Sequence, residues 1–287
     1  MNVLPDSRSG IDWEERARSF QTDSRGVLFK SLPPLLNQYL HDWHVAEVLR
    51  VVDQSTPSAR FRVLDLGCGY GRLSRALHDA RPEAQLVGMD ISRTFARLYR
   101  QETGGAAVVS DLNAALPVGS ESFDLILMVT ALMYLSPASR QRLMRDALRA
   151  LKPAGRLVIV ETSRRGARIY SGFGALALLA KIAGFVDNSV RTNGHLFAYP
   201  EIESLVAESG GSVARRSGVV LFTVLFPILF VLDRIGARGF AERLLRRCRP
   251  WPGIKKHSLH ICYEVSRLAP TVSEGPEPGR YAFEGVG

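Results

Sequence analysis

Cysteine is scarce in this chain: three in 287 residues, Cys68, Cys248 and Cys262. So few, odd in number and widely spaced, they build neither a disulfide framework nor a metal knuckle, which fits a reducing compartment. Long apolar runs are missing too. The longest, Gly218 to Leu232, covers 15 residues and is interrupted by Pro227, whereas a membrane-spanning helix needs roughly 20. The opening residues, Met1-Asn2-Val3-Leu4-Pro5-Asp6, lack the basic-then-apolar pattern of a signal peptide. At 46% hydrophobic and 23% charged, the composition excludes the disordered and fibrous classes. No internal repeat is present. These absences predict a cytoplasmic protein, soluble or at most peripheral at the inner membrane face.

What the chain does have is basic charge. Lys and Arg number 37 against 28 Asp and Glu, a formal charge of +9. The excess is local. Residues 1–211 carry 25 basic and 22 acidic side chains, residues 212–268 carry 11 and 3, and residues 269–287 carry 1 and 3. Such a patch suggests nucleic acid, an acidic membrane surface or an anionic ligand.

The hydrophobic pattern changes along the chain. Ile11–Gln54 reads as helical, with Trp13, Ala17 and Phe20, then Leu32, Leu35, Leu36, Tyr39 and Leu40 recurring at helical spacing. From Phe61 onward, short β-branched runs alternate with helical periodicity. The runs are Arg62–Leu66, Gln85–Met89, Ala106–Val109, Phe123–Val129 and Arg156–Val160. A helix is expected over Ser136–Leu151, capped by Ser136 with Pro137 in its first turn. This alternation predicts an α/β protein: a parallel sheet with helices on both faces. The expected organisation is a helical cap over 1–60 and one domain over 61–268, followed by a disordered tail at 269–287 that is rich in Gly, Pro and Glu. The domain carries insertions at about 163–199 and 227–257.

One stretch carries chemistry. Val63-Leu64-Asp65-Leu66-Gly67-Cys68-Gly69-Tyr70-Gly71 is an apolar strand running into a loop with glycine at alternate positions. Glycine removes the side chain, so a ligand can approach the backbone. The dinucleotide pattern G-x-G-x-x-G does not fit, because the third glycine comes one residue early and Arg72 stands in its place. No Lys-Ser/Thr follows, which excludes a P-loop. A second strand ends in Asp90, 19 residues beyond Gly71, well placed to accept both hydroxyls of a ribose. A third ends at Asp111. Any one of these acids taken alone reads equally as the cap of a helix or turn. Three of them in register with the glycine loop mark a ligand site at the strand ends.

These residues resemble the class I S-adenosylmethionine-dependent methyltransferases, with a domain of the type 11/12-like kind. Asp65-Leu66-Gly67-Cys68-Gly69-Tyr70-Gly71 matches that family's first motif. Asp90 corresponds to its ribose-binding acid and Asp111 to the acid near the adenine amino group. Phe123-Asp124-Leu125-Ile126-Leu127 resembles the fourth strand. Leu151-Lys152-Pro153-Ala154-Gly155 resembles the turn before the fifth, with Ala154 replacing a glycine. The resemblance is strong over 61–162 and weak over 200–225 and 258–268. It implies a Rossmann-like sheet of seven strands, parallel with an antiparallel last strand. It also implies S-adenosylmethionine held by Asp65, Gly67, Cys68, Gly69, Gly71, Asp90, Ile91, Asp111, Leu112 and Val129.

Methyl transfer from a sulfonium is a direct displacement, so it needs positioning more than a triad or a metal. His41, His44, His257 and His260 show no metal-ligand spacing, and no metal is expected. If an acceptor must lose a proton, His195 and Tyr199 are the candidate bases. Tyr134 is a third candidate, read preferentially as a core aromatic beside Leu132 and Leu135. The acceptor is expected to be small or lipid-like and methylated at oxygen. Two apolar insertions, Ala175–Val186 and Gly218–Leu232, favour that class. Residues 218–256 also look like a peripheral membrane element; Val219–Leu225 within them reads as the buried sixth strand, which leaves Ile228–Leu232 and the basic helix Arg238–Arg249 for that role.

A nucleic-acid substrate is disfavoured. Met128-Val129-Thr130-Ala131-Leu132 lacks the Asn/Asp-Pro-Pro-aromatic loop of base methylation, and no thiol is suitably placed for attack on a base. Charge is then the sole argument for nucleic acid. A non-catalytic cofactor-binding module is a further alternative, opposed by the intact glycine loop. Trp13, Phe20, Phe29, Tyr39 and Trp43 form either a lid over the site or a cap that completes the core. No feature specifies an oligomeric state.

Overall fold

The computed structural model describes residues 11–30, 34–55, 60–167, 194–219, 228, 231–232, 235–247 and 257–268. The apolar run Ala175–Val186, residues 220–227 and the tail 269–287 lie outside the described residues. The chain opens with two helices, α1 (Trp13–Phe20) and α2 (Pro34–Ser55). Strands β1 (Phe61–Leu66), β2 (Ala84–Asp90), β3 (Ala106–Val109), β4 (Phe123–Val129) and β5 (Leu151–Thr162) follow. Between them stand α3 (Arg72–Ala80), α4 (Arg93–Thr103) and α5 (Pro137–Ala150). After β5 come α6 (Glu201–Glu208), β6 (Gly211–Gly218), α7 (Arg238–Arg247) and β7 (His260–Arg267).

The strands form one seven-stranded sheet in the order β3-β2-β1-β4-β5-β7-β6. Strands β1 to β5 pair in parallel, while β7 runs antiparallel to both β5 and β6. The expected architecture is therefore present, with its switch point between β1 and β4.

Alternation along each strand divides the core. Val63, Leu125, Leu127, Val158 and Val160 face one side, where α2 supplies Leu36, Leu40, Trp43, Val51 and Val52. Leu64, Leu66, Ile126, Met128, Leu157 and Ile159 face the other, against Leu143, Met144, Ala147 and Leu148 of α5 and Ile202 and Val206 of α6. Both faces are covered, so β4 and β5 read as near-continuous apolar runs instead of alternating ones. On α2 the buried positions Leu36, Leu40, Trp43 and Val51 follow the helical stripe. Each such large side chain contributes about 2 kcal/mol by its burial. The start of α5 follows the sequence: Ser136 Oγ accepts from Ser139 N at 3.2 Å, and Pro137 occupies the first turn.

The described part of the sixth strand is Gly211–Gly218, ahead of the expected Val219–Leu225, of which Val219 alone lies among the described residues. Its arginines form ion pairs: Arg215 with Glu47 at 3.0 Å and Arg216 with Glu203 at 2.6 Å. Pairing with β7 makes this polar stretch a strand. Val219 N donates to the His260 carbonyl and so continues the pairing.

Candidate cofactor and acceptor site

At the carboxyl ends of β1, β2, β3 and β4 lies a cleft of about 860 Å³ that is open to solvent. Asp65, Gly67, Cys68, Gly69, Asp90, Ile91, Asp111, Leu112 and Val129 line it. One glycine of the expected set, Gly71, does not appear among the lining residues. Its backbone has φ +87°, and a Cβ there would stand 2.6 Å from Thr103 Cγ2 and 2.9 Å from Tyr99 Cδ2. Gly71 therefore lets α3 start against α4. Gly69, at φ +54°, packs against the segment after α1: a Cβ there would meet Val27 Cγ1 at 2.5 Å.

Asp90 braces this loop. Its carboxylate accepts from Gly69 N and from Ser92 N, each at 2.9 Å. Burial raises its pKa to about 6, against the hydrogen bonds from Ser92 and Gly69. Asp65 is likewise raised to about 6 by burial. Its carboxylate accepts from Ser74 Oγ at 2.7 Å, and the Tyr99 hydroxyl donates to that same Oγ at 3.0 Å. Asp111 is exposed and accepts from Asn113 N at 2.8 Å in a local turn.

Several lining residues were not singled out as ligand contacts by the sequence. Trp13 reaches in from α1 and meets Tyr134 edge-on, with ring centroids 4.9 Å apart. Glu14 latches that helix to the start of α4, accepting from Ser92 Oγ at 2.7 Å and Thr94 Oγ1 at 2.6 Å. Val27, Phe95, Arg72, Thr130 and Leu135 complete much of the wall. Thr130 sits at φ 53°, a strained conformation for a β-branched residue, where β4 opens into the site.

Tyr134 is no simple core aromatic, because it lines the cleft, and burial lifts its hydroxyl pKa to about 12. Glu161 ends β5 fully buried; its Oε1 accepts from Leu132 N at 2.8 Å and so fixes the turn that carries Tyr134. Burial raises its pKa to about 8. An acid ending an apolar strand was the available signal for Glu161.

His195 and Tyr199 are not among the described residues lining the cleft. Tyr199 places its ring against the Arg216 guanidinium, 5.7 Å from the centroid, so it is committed to β6. His195 lies nearer, since its backbone N–H donates to the Met133 carbonyl at 2.8 Å, one residue from Tyr134. Its Nε2 is 2.9 Å from Glu201 Oε2. Among the described residues no group of three or more His, Cys, Asp or Glu could hold a metal ion.

Comparison with known proteins gives this geometry a family. A model described as a methyltransferase domain matches residues 63–155. The ubiquinone biosynthesis O-methyltransferase of Chelativorans sp. (strain BNC1) is 30% identical over 196 residues, 65% of this chain and 73% of that protein. The chain belongs to the class I S-adenosylmethionine-dependent methyltransferases.

This methyltransferase is also 29% identical over 210 residues to the malonyl-[acyl-carrier protein] O-methyltransferase of Methylococcus capsulatus (strain ATCC 33009 / NCIMB 11132 / Bath). That match covers 71% of this chain and 70% of the relative. The chain spans under half the length of the demethylmenaquinone methyltransferases of Tropheryma whipplei and Thermotoga maritima that it matches, 41% and 49%. Among solved structures, magnesium protoporphyrin IX methyltransferase of Synechocystis PCC 6803 shares the fold at TM-score 0.55 and 16% identity. The likeness covers 88% of this chain and 97% of that one.

The cofactor of the family is S-adenosylmethionine, and the cleft fits it. Buried carboxylates stand at the ends of β1 and β2, and the loop backbone is bare at Gly67 and Gly69.

Proposed function

We propose that this methyltransferase O-methylates a small, lipid-like acceptor bound beside the cofactor. Bound S-adenosylmethionine supplies an electrophilic methyl group on its sulfonium. Asp90 accepts the ribose hydroxyls, Asp111 and Leu112 border the adenine, and Asp65, Gly67, Cys68 and Gly69 enclose the methionine end. The observation that carries the acceptor reading is the aromatic wall that Trp13 and Tyr134 form in the cleft. Such a wall favours flat or apolar molecules. The likeness to a ubiquinone biosynthesis O-methyltransferase and to demethylmenaquinone methyltransferases supports it.

A hydroxyl acceptor must lose a proton, and the His195–Glu201 pair is the base we propose. Glu201 holds Nε2, which leaves Nδ1 for the acceptor. Tyr199 has no part in this reading. Residues 1–60 act as the cap of a catalytic domain over 61–268. Within it, Ile228, Val231, Ile235 and Phe240 expose half or more of their surface, and these are the apolar side chains we assign to a membrane face. No helix among the described residues is long and apolar enough to cross a membrane.

The test is methylation of a lipid and quinone extract with methyl-labelled cofactor, alongside flotation on anionic vesicles. Labelled product in the apolar fraction is expected; silence in both arms refutes the reading. For the base, His195→Ala lowers kcat at least tenfold while leaving S-adenosylhomocysteine affinity within twofold. An unchanged kcat removes His195 from the mechanism.

A further inference from the structure

Arg72 opens α3 and lines the cleft, yet it is 9% exposed. A buried guanidinium normally has a carboxylate beside it, because desolvating an unpaired charge is costly. Among the described residues no Asp or Glu is recorded in an ion pair with Arg72. Asp65 feels its field but spends its hydrogen bond on Ser74.

The recorded side-chain partners of Arg72 are two imidazoles: His41 Nδ1 at 3.3 Å from Nη1 and His44 Nδ1 at 3.0 Å from Nη2. A guanidinium only donates, so both nitrogens must accept. His44 therefore carries its proton on Nε2 and donates to His260 Nδ1 at 3.0 Å. His260 is then protonated on Nε2, which has no partner. Phe29 stacks on the far imidazole at 5.5 Å.

Burial, with the Arg72 charge as the next cause, drives His41 down to about 4 and His260 to about 3, and puts His44 well below its ordinary value. All three are neutral at physiological pH. Arg72 itself is lowered by burial only to about 10 and remains charged. The imidazoles thus fix the guanidinium without neutralising it, and two of its five N–H donors are used. What remains is a preorganised cation in the wall of a ligand cleft.

We propose that Arg72, held by His41 and His44 with His260 behind them, is a carboxylate-binding site in this cleft. Planar guanidinium and carboxylate match as a two-pronged pair. The inference rests on the cleft being the cofactor and acceptor site. Two ligands bring a carboxylate there: the aminobutyrate end of the cofactor, or an acidic acceptor.

The test uses calorimetry on Arg72→Gln and Arg72→Lys with three probes. These are S-adenosylhomocysteine, its decarboxylated analogue S-adenosyl-3-thiopropylamine, and dodecanoate added to the S-adenosylhomocysteine complex. If the cofactor carboxylate is the ligand, Arg72→Gln weakens S-adenosylhomocysteine at least tenfold and the decarboxylated analogue less than twofold, with Arg72→Lys between. If the acceptor supplies it, both nucleosides bind as before and dodecanoate binding alone is lost. Equal weakening of both nucleosides, or no change with any probe, overturns the proposal. Failure of the underlying cofactor reading is distinct: the unsubstituted protein would then bind neither nucleoside, and the proposal falls with it.

Discussion

Replacing Asp90 with Asn separates what this residue does for the ligand from what it does for the fold. The carboxylate is 8% exposed and accepts from Gly69 N and Ser92 N. Its pKa stands near 6 against an ordinary 3.8. Keeping it ionised inside the protein therefore costs about 3 kcal/mol at pH 7. Asn removes that cost but offers one acceptor oxygen where two backbone donors converge. The orphaned N–H costs about 1–3 kcal/mol in return. The two effects nearly cancel, so stability at pH 7 should move by no more than about 2 kcal/mol.

Affinity has no such compensation. Hydrogen bonds from ribose hydroxyls to a charged acceptor contribute about 1.5–3 kcal/mol each, and a single neutral oxygen recovers only part of two. A net loss of about 2–3 kcal/mol corresponds to about 30- to 150-fold weaker S-adenosylhomocysteine. The sign with pH follows from the raised folded-state pKa. The protonated form favours the fold, so that contribution is present below about pH 4 and is lost as pH rises through about 6. The native protein should therefore gain stability relative to Asp90→Asn as pH falls from 7 to 4. Urea denaturation across that range and calorimetry at pH 7 give both quantities. Unaltered affinity, or a loss of stability well above 3 kcal/mol at pH 7, would refute the reasoning.

Glu161→Gln keeps the oxygen that accepts from Leu132 N while removing a carboxyl raised to about 8 from 4.5 by burial. The acid's stabilising contribution is present below about 4.5 and lost as pH rises through about 8. Denaturation midpoints should therefore show the native protein weakening against the variant between pH 6 and 9, and parallel curves would contradict this. Gly71→Ala forces a side chain onto Tyr99 and Thr103 at φ +87°. It should destabilise by about 2–4 kcal/mol in urea, and a loss below 1 would show that α3 shifts freely. Glu14→Gln weakens the latch on Ser92 and Thr94 by about 1 kcal/mol. Amide exchange should quicken over residues 13–20 with the central strands unaffected, whereas uniform quickening would deny a local latch.

Repetition decided what was legible in the sequence. The five parallel strands stood out because each is an apolar run bounded by helical periodicity, and Ser136-Pro137 announced its helix. The acids at the strand ends and the glycine loop are adjacent in sequence to those strands, so their convergence followed from topology alone. The remainder depended on long-range pairing. Trp13 meets Tyr134 across 121 residues, and His44 meets His260 across 216. No local pattern encodes either contact. Tyr134 was weighed by its apolar neighbours Leu132 and Leu135; it does pack against the core beside them, and it also lines the cleft. Arg72 had a visible signal, standing where a dinucleotide motif has glycine, but the imidazoles that hold it come from a distant helix and the last strand.

The basic segment shows why counting charge along a chain misleads. Arg215, Arg216 and Arg267 belong to β6 and β7, and each is paired, with Glu47, Glu203 and Glu121. These three arginines answer acids contributed by residues 1–211, so part of the apparent excess is cross-chain neutralisation within one sheet edge. The proposed contact with a membrane or an amphiphilic acceptor therefore falls to the segment between those strands. There the described residues give a different kind of evidence: Ile228, Val231, Ile235 and Phe240 are exposed, while Leu232 and Leu244 pack inward against the core. Exposed apolar side chains beside buried ones define an amphipathic face, and such a face binds through buried area before charge. Raising salt should then weaken vesicle binding only modestly, whereas replacing Ile235 and Phe240 with Ser should abolish it.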